Sequence, residues 1–212
     1  MSLARKMGGQ CRKPVGWLGR FVLWGMNRGH SALTDWGLKA VQIGKEDHIL
    51  DVGCGGGRTV SKLARAASAG KVYGIDFSEA SVAAARKFNR REIKSGRVEI
   101  RQGSVSHLPF PDETFDLVTA VETHFFWPDP PADVREVRRV LKQNGTFLIV
   151  AEVYLGGKKW SDAQLQKMAE FTGLRLQTVE EHRQILAQTG FGNVQTWEDA
   201  EKGWLAVSGR KI

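Results

Sequence analysis

The 212-residue sequence has little cysteine and no long apolar run, and each absence narrows the class of protein. Its two cysteines, Cys11 and Cys54, form no CxxC pair, which argues against a disulfide framework and against structural zinc. No apolar run approaches a membrane span, and residues 1–30 lack the apolar segment and cleavage site of a secretory signal. We therefore expect no transmembrane segment and a cytoplasmic location. No His, Cys or carboxylate cluster has metal-ligand spacing, so no metal is predicted.

Acidic residues are absent from positions 1–30, which carry six of the basic residues behind the net charge of +8. The rest of the chain is nearly neutral. Such a basic arm can steer a nucleic acid, an anionic membrane or an acidic partner, or it can be a solvated terminus. Within it, residues 15–26 could form a lid, a core-packed helix or a membrane-surface helix. We predict an arm with a helical segment over residues 1–45 and one domain over residues 46–212.

From His48 onward, short runs rich in β-branched residues alternate with helical patterns, which indicates crossover units and a largely parallel sheet. A long helix is predicted over residues 78–94 and a shorter one over residues 135–141. The last two strands, near residues 193–196 and 204–209, predict an antiparallel hairpin at the sheet edge. The predicted fold is α/β: seven strands, mostly parallel, with helices on both faces and an antiparallel C-terminal strand.

A glycine-rich turn over residues 51–57 directly follows the first predicted strand and precedes a helix. Its glycines let the backbone turn tightly and approach a ligand without side-chain obstruction. The turn fits neither the dinucleotide fingerprint nor the phosphate loop, because Arg58 and Thr59 follow it. Asp76 ends the second strand, where an acid can accept hydrogen bonds from both ribose hydroxyls of a nucleoside. Ser78 is a plausible cap for the next helix, which favours a ligand-binding role for Asp76, while a second capping role for Asp76 stays open.

Five motifs occur in order along the chain: DVGCGGG at 51–57, GIDFS at 74–78, LPFPDETFD at 108–116, EVRRVLKQNGTFLIV at 136–150 and LAQTGFGNV at 186–194. Together they resemble the class I S-adenosylmethionine (SAM)-dependent methyltransferases, in the small-molecule branch similar to quinone- and sterol-biosynthesis C-methyltransferases. The resemblance covers roughly residues 46 to 210 and implies a Rossmann-like fold that uses SAM and releases S-adenosylhomocysteine (SAH).

The resemblance also implies where SAM lies, namely across the carboxyl ends of strands one, two and four. Asp51 would lie near the ammonium group, Asp76 would hold the ribose hydroxyls, and Phe77 would lie against the adenine. The family often has Asp-Ala where this chain has Ser104-Val105, so a hydroxyl or backbone group is expected at the adenine amino group. The expected cofactor residues are Asp51, Gly53, Cys54, Gly55, Gly57, Asp76, Phe77, Ser104, Val105 and Val121.

Candidate acceptor-side residues follow from the chemistry of methyl transfer. Displacement of the methyl group from a sulfonium mainly requires that the acceptor atom, the methyl carbon and the sulfur are aligned. A general base is optional. His124 is the first candidate base and Glu122 the second, while a capping or packing role for His124 stays open. Aromatic faces near a sulfonium gain cation–π attraction of ~0.5 to 2 kcal/mol. The expected substrate pocket comprises His30, Trp36, Phe125, Trp127 and Tyr154.

Two other functions stay open besides small-molecule methylation. Residues 129–132, Asp-Pro-Pro-Ala, resemble the loop of enzymes that methylate exocyclic amines of flipped bases. They lack the stacking aromatic and begin several residues after strand four, which argues against a nucleic-acid substrate. The second alternative is a protein that binds SAM without transferring its methyl group. The pattern makes no prediction about oligomeric state.

Overall fold

The computed structural model describes residues 30–212, which contain a seven-stranded sheet. The basic arm, the helical segment predicted over residues 15–26 and Cys11 lie outside the described residues. Within residues 30–212, no helix combines the length and the apolar character needed to cross a bilayer. The predicted boundary between arm and domain at residue 45 stays a prediction.

The strands, in chain order, are β1 (His48–Val52), β2 (Lys71–Asp76), β3 (Val98–Gln102), β4 (Phe115–Val121), β5 (Leu141–Ala151), β6 (Phe191–Asp199) and β7 (Trp204–Lys211). The described helices are α1 (Ser31–Gly37), α2 (Arg58–Ala66), α3 (Glu79–Phe88), α4 (Arg90–Lys94), α5 (Pro130–Val140), α6 (Asp162–Thr172) and α7 (Val179–Gln188). Short 3-10 turns follow α1 at Leu38–Ala40 and β4 at His124–Phe126.

The sheet order is β3-β2-β1-β4-β5-β7-β6, and β7 runs antiparallel to both of its neighbours. This confirms the predicted α/β class with a mostly parallel sheet and an antiparallel C-terminal strand. The chain moves outward from β1 through β2 to β3 and then returns to the other side of β1 as β4. Ligands of open parallel sheets bind where the strand order reverses in this way. A ligand-binding site is therefore expected in the crevice between the carboxyl ends of β1 and β4.

Alternating residues of the central strands enter two apolar cores, one on each face of the sheet. Leu50 packs with the side chains of α5 and α7, whereas Ile49 packs with those of α1, α2 and α3. This alternation follows from the two-residue period of a strand. Burial on both faces holds the strand ends, and the loops that follow them, in fixed positions.

Two helices differ from the sequence prediction. The helix predicted over residues 78–94 is broken at Asn89, whose buried amide group donates hydrogen bonds to the carbonyl oxygens of Gly57 and Ala85. The helix predicted to begin at residue 135 begins at Pro130. The Asp129 side chain accepts a hydrogen bond from the N–H of Ala132, and proline is favourable in a first helical turn.

The aromatic core should dominate the stability of this fold. Phe115 is fully buried, whereas Phe171 on α6 is 42% exposed. We expect Phe115→Ala to lower the free energy of unfolding by about 3–5 kcal/mol, because it removes transfer energy and leaves a cavity. Phe171→Ala, the matched control, should lower it by less than about 1 kcal/mol. Urea denaturation measures both, and equal losses would contradict the assigned core.

Candidate functional site

The glycine loop that joins β1 to α2 is tied to the end of β2. The N–H groups of Gly53 and Cys54 both donate to the carbonyl oxygen of Ile75, at 2.8 and 3.0 Å. The carboxylate of Asp76 accepts the N–H of Gly55 at 2.9 Å and the N–H of Ser78 at 2.8 Å. The Ser81 hydroxyl is a third hydrogen-bond partner of this carboxylate, whose two oxygens together have about four acceptor sites. Asp76 thus braces the loop while remaining able to accept a ligand hydroxyl.

Two glycines of the loop allow close approaches that a side chain would block. Gly53 has φ +72°, and a Cβ atom there would overlap the Oγ1 atom of Thr123, which follows β4. Gly57 has φ +82°, and a Cβ atom there would lie 2.8 Å from the Cα atom of Ala85 on α3. Glycine adopts this left-handed backbone without the steric cost that other residues incur. The loop is therefore held between the end of β4 and α3.

Two cavities share Gly53 in their linings. The first, here called the Asp76 cavity, has a volume of about 280 Å³ and is lined by Val52, Gly53, Ile75, Asp76, Phe77, Gly103, Ser104, Val105, Thr123, Phe126, Trp127 and Pro128. The second, here called the Glu122 cavity, has a volume of about 70 Å³ and is lined by His30, Thr34, Gly53, Cys54, Gly55, Gly56, Arg58, Thr59, Val121 and Glu122. Both lie in the crevice at the carboxyl edge of the sheet.

The predicted cofactor residues converge on this crevice. The Asp76 cavity includes Gly53, Asp76, Phe77, Ser104 and Val105, and the Glu122 cavity includes Gly53, Cys54, Gly55 and Val121. The remaining two predicted residues lie behind the loop. Asp51 is 2% exposed near the end of β1, and Gly57 is the residue before α2. The assignment of these residues to a cofactor stays a prediction.

Burial makes the acids of the crevice reluctant to ionise. It raises the pKa of Asp51 to about 7, although the hydroxyl of Thr119 donates a hydrogen bond at 2.7 Å that lowers it in part. Burial also raises the pKa of Asp76, against the effect of the N–H groups of Ser78 and Gly55. Neighbouring acids in a low-dielectric site favour a cationic ligand, which restores their charged form.

Glu122 occupies a strained position directly after β4. Its φ is +57°, which is uncommon for a residue with a side chain, and its side chain is only 11% exposed. One carboxyl oxygen accepts the N–H of Glu152, and the other lies 3.8 Å from Nε2 of His30. Burial raises the pKa of Glu122 to about 8, although the N–H of Glu152 lowers it in part. Backbone strain and a perturbed carboxyl group that faces a cavity together mark a candidate functional residue.

His124, the first candidate base, lies outside the described linings of both cavities and is 5% exposed. Its Nε2 atom is 2.8 Å from Nε2 of His182 on α7, and Nδ1 of His182 is 2.7 Å from the carbonyl oxygen of Thr178. Because a carbonyl only accepts, His182 carries its proton on Nδ1, and His124 donates from Nε2. Burial holds the pKa of His124 well below its usual value of 6.5. The pair joins α7 to the end of β4, as the packing alternative for His124 anticipated.

The residues predicted for the substrate pocket separate in the structure. His30 lines the Glu122 cavity, whereas Trp127 lines the Asp76 cavity and stacks on Phe147 with centroids 6.1 Å apart. The other three lie outside both described linings. Trp36 packs on the Trp204 ring, Phe125 packs on the His124 ring, and the Tyr154 hydroxyl donates to the Glu198 carboxylate. Within residues 30–212, no group of three His, Cys, Asp or Glu side chains could hold a metal ion.

Several lining residues were not predicted from the sequence, and Arg58 is the most informative of them. It is the first residue of α2, whose N-cap Gly57 supplies no side-chain hydrogen bond. Its buried Nε atom has no hydrogen-bond partner among the described residues, and its guanidinium lies 5.4 Å from the centre of the Phe88 ring. A helix N-terminus beside a guanidinium attracts anions. In the sequence, the position of Arg58 directly after the glycine motif could have indicated its place at the site.

Comparison with known proteins agrees with this geometry. Residues 50–149 match the family model described as methyltransferase domain. Residues 50–149, just under half of the chain, are thus similar to a methyltransferase domain. The resemblance to methyltransferases that the sequence motifs indicated is thereby confirmed.

Two curated relatives illustrate the extent of the match. The uncharacterized methyltransferase YcgJ of Bacillus subtilis is 36% identical over 113 residues, which are 53% of this chain and 44% of the relative. A demethylmenaquinone methyltransferase of Lactiplantibacillus plantarum is 37% identical over 113 residues, which are 53% of this chain and 47% of the relative. The chain thus aligns with about half the length of these relatives.

A solved structure extends the likeness beyond the aligned motifs. It is the geranyl diphosphate C-methyltransferase of Streptomyces coelicolor A3(2), in complex with Mg²⁺, geranyl diphosphate and SAH. It superposes with a TM-score of 0.71 at 15% identity and covers 87% of this chain and 80% of its own. At this identity the likeness shows the fold.

The close approach of Thr123 to Gly53 should make the stability of the fold sensitive to any side chain at position 53. Gly53→Ala introduces both a left-handed alanine and an overlap with Thr123. Gly96→Ala is the matched control, because Gly96 has φ +79° and open space around its missing Cβ atom. We expect Gly53→Ala to lower the free energy of unfolding by about 1–3 kcal/mol more than Gly96→Ala, because overpacking adds to backbone strain. Urea denaturation of both variants tests this, and equal losses would count against the close approach.

Proposed function

We propose that this chain transfers the methyl group of SAM to a small-molecule acceptor by direct displacement. The supporting observation is the crevice at the reversal point of the sheet, where two cavities share Gly53 of the glycine loop, one lined by Asp76 and the other by Glu122. This arrangement suits an elongated ligand with a polar sugar in one cavity and a reactive centre in the other.

In this proposal the adenosine half of SAM occupies the Asp76 cavity. The Asp76 oxygens accept the ribose hydroxyls with the lone pairs that the loop leaves available. Phe77, which is 42% exposed, covers one face of the adenine. Ser104 and Val105 lie at the rim and supply a hydroxyl or a backbone group to the adenine amino group. Phe126 and Trp127 add apolar surface to the same cavity.

The methionine half of SAM then extends past Gly53 into the Glu122 cavity. Its ammonium group lies toward Asp51, whose ionised form it stabilises. Its carboxylate lies at the N-terminus of α2, where Arg58 and Thr59 line the cavity. The buried Nε atom of Arg58 gains a partner in this arrangement.

The methyl group points to the acceptor on the Glu122 side of the crevice. An acceptor that carries a removable proton passes that proton to the Glu122 carboxylate as its bond to the methyl carbon forms. The bond between carbon and sulfur breaks, and its electron pair stays on sulfur. Glu122 is favoured over His124 as the base because it lines the cavity, whereas His124 donates its Nε2 proton to His182.

A small-molecule acceptor is favoured over a nucleic acid by residues 129–132. Asp129 caps α5, and the two prolines form the first helical positions. The tetrapeptide that resembled a base-binding loop is accounted for as a helix start. The relatives named for demethylmenaquinone and geranyl diphosphate methylation also act on small molecules by name. The cytoplasmic location stays a prediction.

Asp76→Ala tests the ribose assignment. The variant loses acceptors for two hydroxyls, and hydrogen bonds to a charged group contribute about 1.5–3 kcal/mol each. We expect SAM affinity to fall at least about tenfold in isothermal titration calorimetry. Asp116→Ala is the matched control, because Asp116 also accepts a backbone N–H, from His48, but lies at the opposite end of the sheet. Unchanged SAM affinity in Asp76→Ala, with Asp116→Ala folded and binding, would rule out the assignment.

Incubation with methyl-labelled SAM and a metabolite extract tests transfer itself. We expect label to appear in a small molecule, and the rate to fall about 10²–10⁴-fold in Glu122→Gln, which cannot accept the proton. His124→Gln, which removes the other candidate base, should retain most of the rate once its folding is verified. SAM binding without any transferred label would support the non-enzymatic alternative. Label in RNA or DNA would support the nucleic-acid alternative.

A further inference from the structure

Among residues 30–212, the carboxyl group of Glu122 lines the Glu122 cavity and forms no ion pair with a lysine or arginine side chain. The charged or titratable groups around it among the described residues are His30 ahead of α1, Glu152 after β5 and Lys159 beyond it. Arg58 and Cys54 also line the same cavity. Burial lowers the pKa of His30, so its imidazole is mostly neutral near pH 7. The ammonium of Lys159 pairs with Glu152 at 2.7 Å. A cationic ligand in this cavity would therefore favour the ionised form of Glu122.

The backbone around Glu122 holds its side chain beside the cavity. The left-handed φ of Glu122 turns its side chain into the crevice directly after β4, and the Glu152 N–H holds one of its oxygens there. The same cavity is lined by Gly53, Cys54 and Gly55 of the loop that is proposed to hold the methionine half of SAM. A side chain held in this way cannot swing into water to ionise. Its protonation follows the charge of whatever occupies the cavity.

We propose that Glu122 distinguishes the charged donor from its neutral product, as a carboxylic acid in the empty site and with SAH bound, and as a carboxylate when the sulfonium of SAM is bound. This inference rests on the proposed function, since it requires SAM in the crevice. Under this proposal, Glu122 makes the site prefer SAM to SAH. Glu122 also becomes able to accept a proton only when SAM is bound.

The charges balance over one turnover. SAM enters with its sulfonium, and Glu122 releases a proton to solvent. Methyl transfer then forms the bond from acceptor to carbon, breaks the bond from carbon to sulfur and leaves the electron pair on sulfur, while the acceptor proton moves to Glu122. The product complex contains a neutral thioether and a neutral carboxylic acid. When SAH leaves, Glu122 is therefore already the carboxylic acid that this proposal assigns to the empty site.

Proton linkage gives the measurable consequence. A ligand whose binding releases one proton gains affinity by up to about tenfold per pH unit. SAM should release up to about one more proton than SAH between pH 6 and pH 7.5, because the sulfonium is the charge in which they differ. The ammonium and carboxylate groups are common to both ligands, so protons released by Asp51 cancel in the comparison.

Isothermal titration calorimetry of the full chain with SAM and with SAH tests this. Titrations in phosphate and in Tris, whose ionisation enthalpies differ, count the protons released with each ligand. In the wild type we expect a SAM-minus-SAH difference approaching one proton at about pH 7 and an affinity ratio that moves toward SAM as the pH rises. Glu122→Gln should abolish both. Asp51→Asn, the matched control, should change proton release by both ligands equally and keep the difference.

The calorimetric results distinguish failure of the proposed role of Glu122 from failure of the proposed methyltransferase function. Equal proton counts for SAM and SAH in the wild type would overturn the role of Glu122 while leaving SAM binding intact. A difference that persists in folded Glu122→Gln would also overturn it. The wild-type comparison needs no variant and stands even if Glu122→Gln fails to fold. Failure of the wild type to bind either ligand would instead overturn the proposed function.

Discussion

The carboxylate of Asp76 holds the crevice together. Its hydrogen bonds to the N–H groups of Gly55 and Ser78 join the glycine loop after β1 to the helix start after β2. The loop is thereby positioned between two strands that are neighbours in the sheet but separate in the chain. The ends of the loop, the start of α2 and both cavities depend on this one side chain. A carboxylate suits this position because it accepts several N–H groups and still has lone pairs for a ligand.

Burial of carboxyl groups is the second constraint on the site. Asp51, Asp76 and Glu122 all lie in or behind the crevice, and burial raises the pKa of each of them. A ligand with two positive charges, an ammonium and a sulfonium, therefore favours the carboxylate forms of these acids more than an empty crevice does. This electrostatic complementarity links donor binding to the protonation state of the groups that surround it. The same burial keeps the His124 and His182 pair neutral and therefore suited to packing.

The fold and the convergence of residues on the Asp76 cavity could be predicted because they depend on local patterns. Strand periodicity and the turn residues around Gly53 indicate where each strand ends, and parallel strands place those ends at one edge. Asp76 ends β2 and Phe77 follows it, and Ser104 and Val105 lie shortly after β3, so their convergence on one cavity needed little beyond the strand order. The break at Asn89 could not be anticipated, since its cause is a hydrogen bond to Gly57, which is distant in the chain.

The acceptor side shows the limit of the same approach. Glu122, His124 and Tyr154 all lie near the ends of β4 and β5, and the sequence alone does not say which of them faces a cavity. The left-handed backbone of Glu122 and the contact of His124 with α7 decide this, and both arise from packing between distant segments. By itself, the sequence determined the fold class, the family and the residues around the glycine loop, because these follow from short-range patterns. Only the tertiary structure decided that Glu122 is buried with no lysine or arginine ion pair among residues 30–212, because burial and charge pairing depend on which distant residues meet.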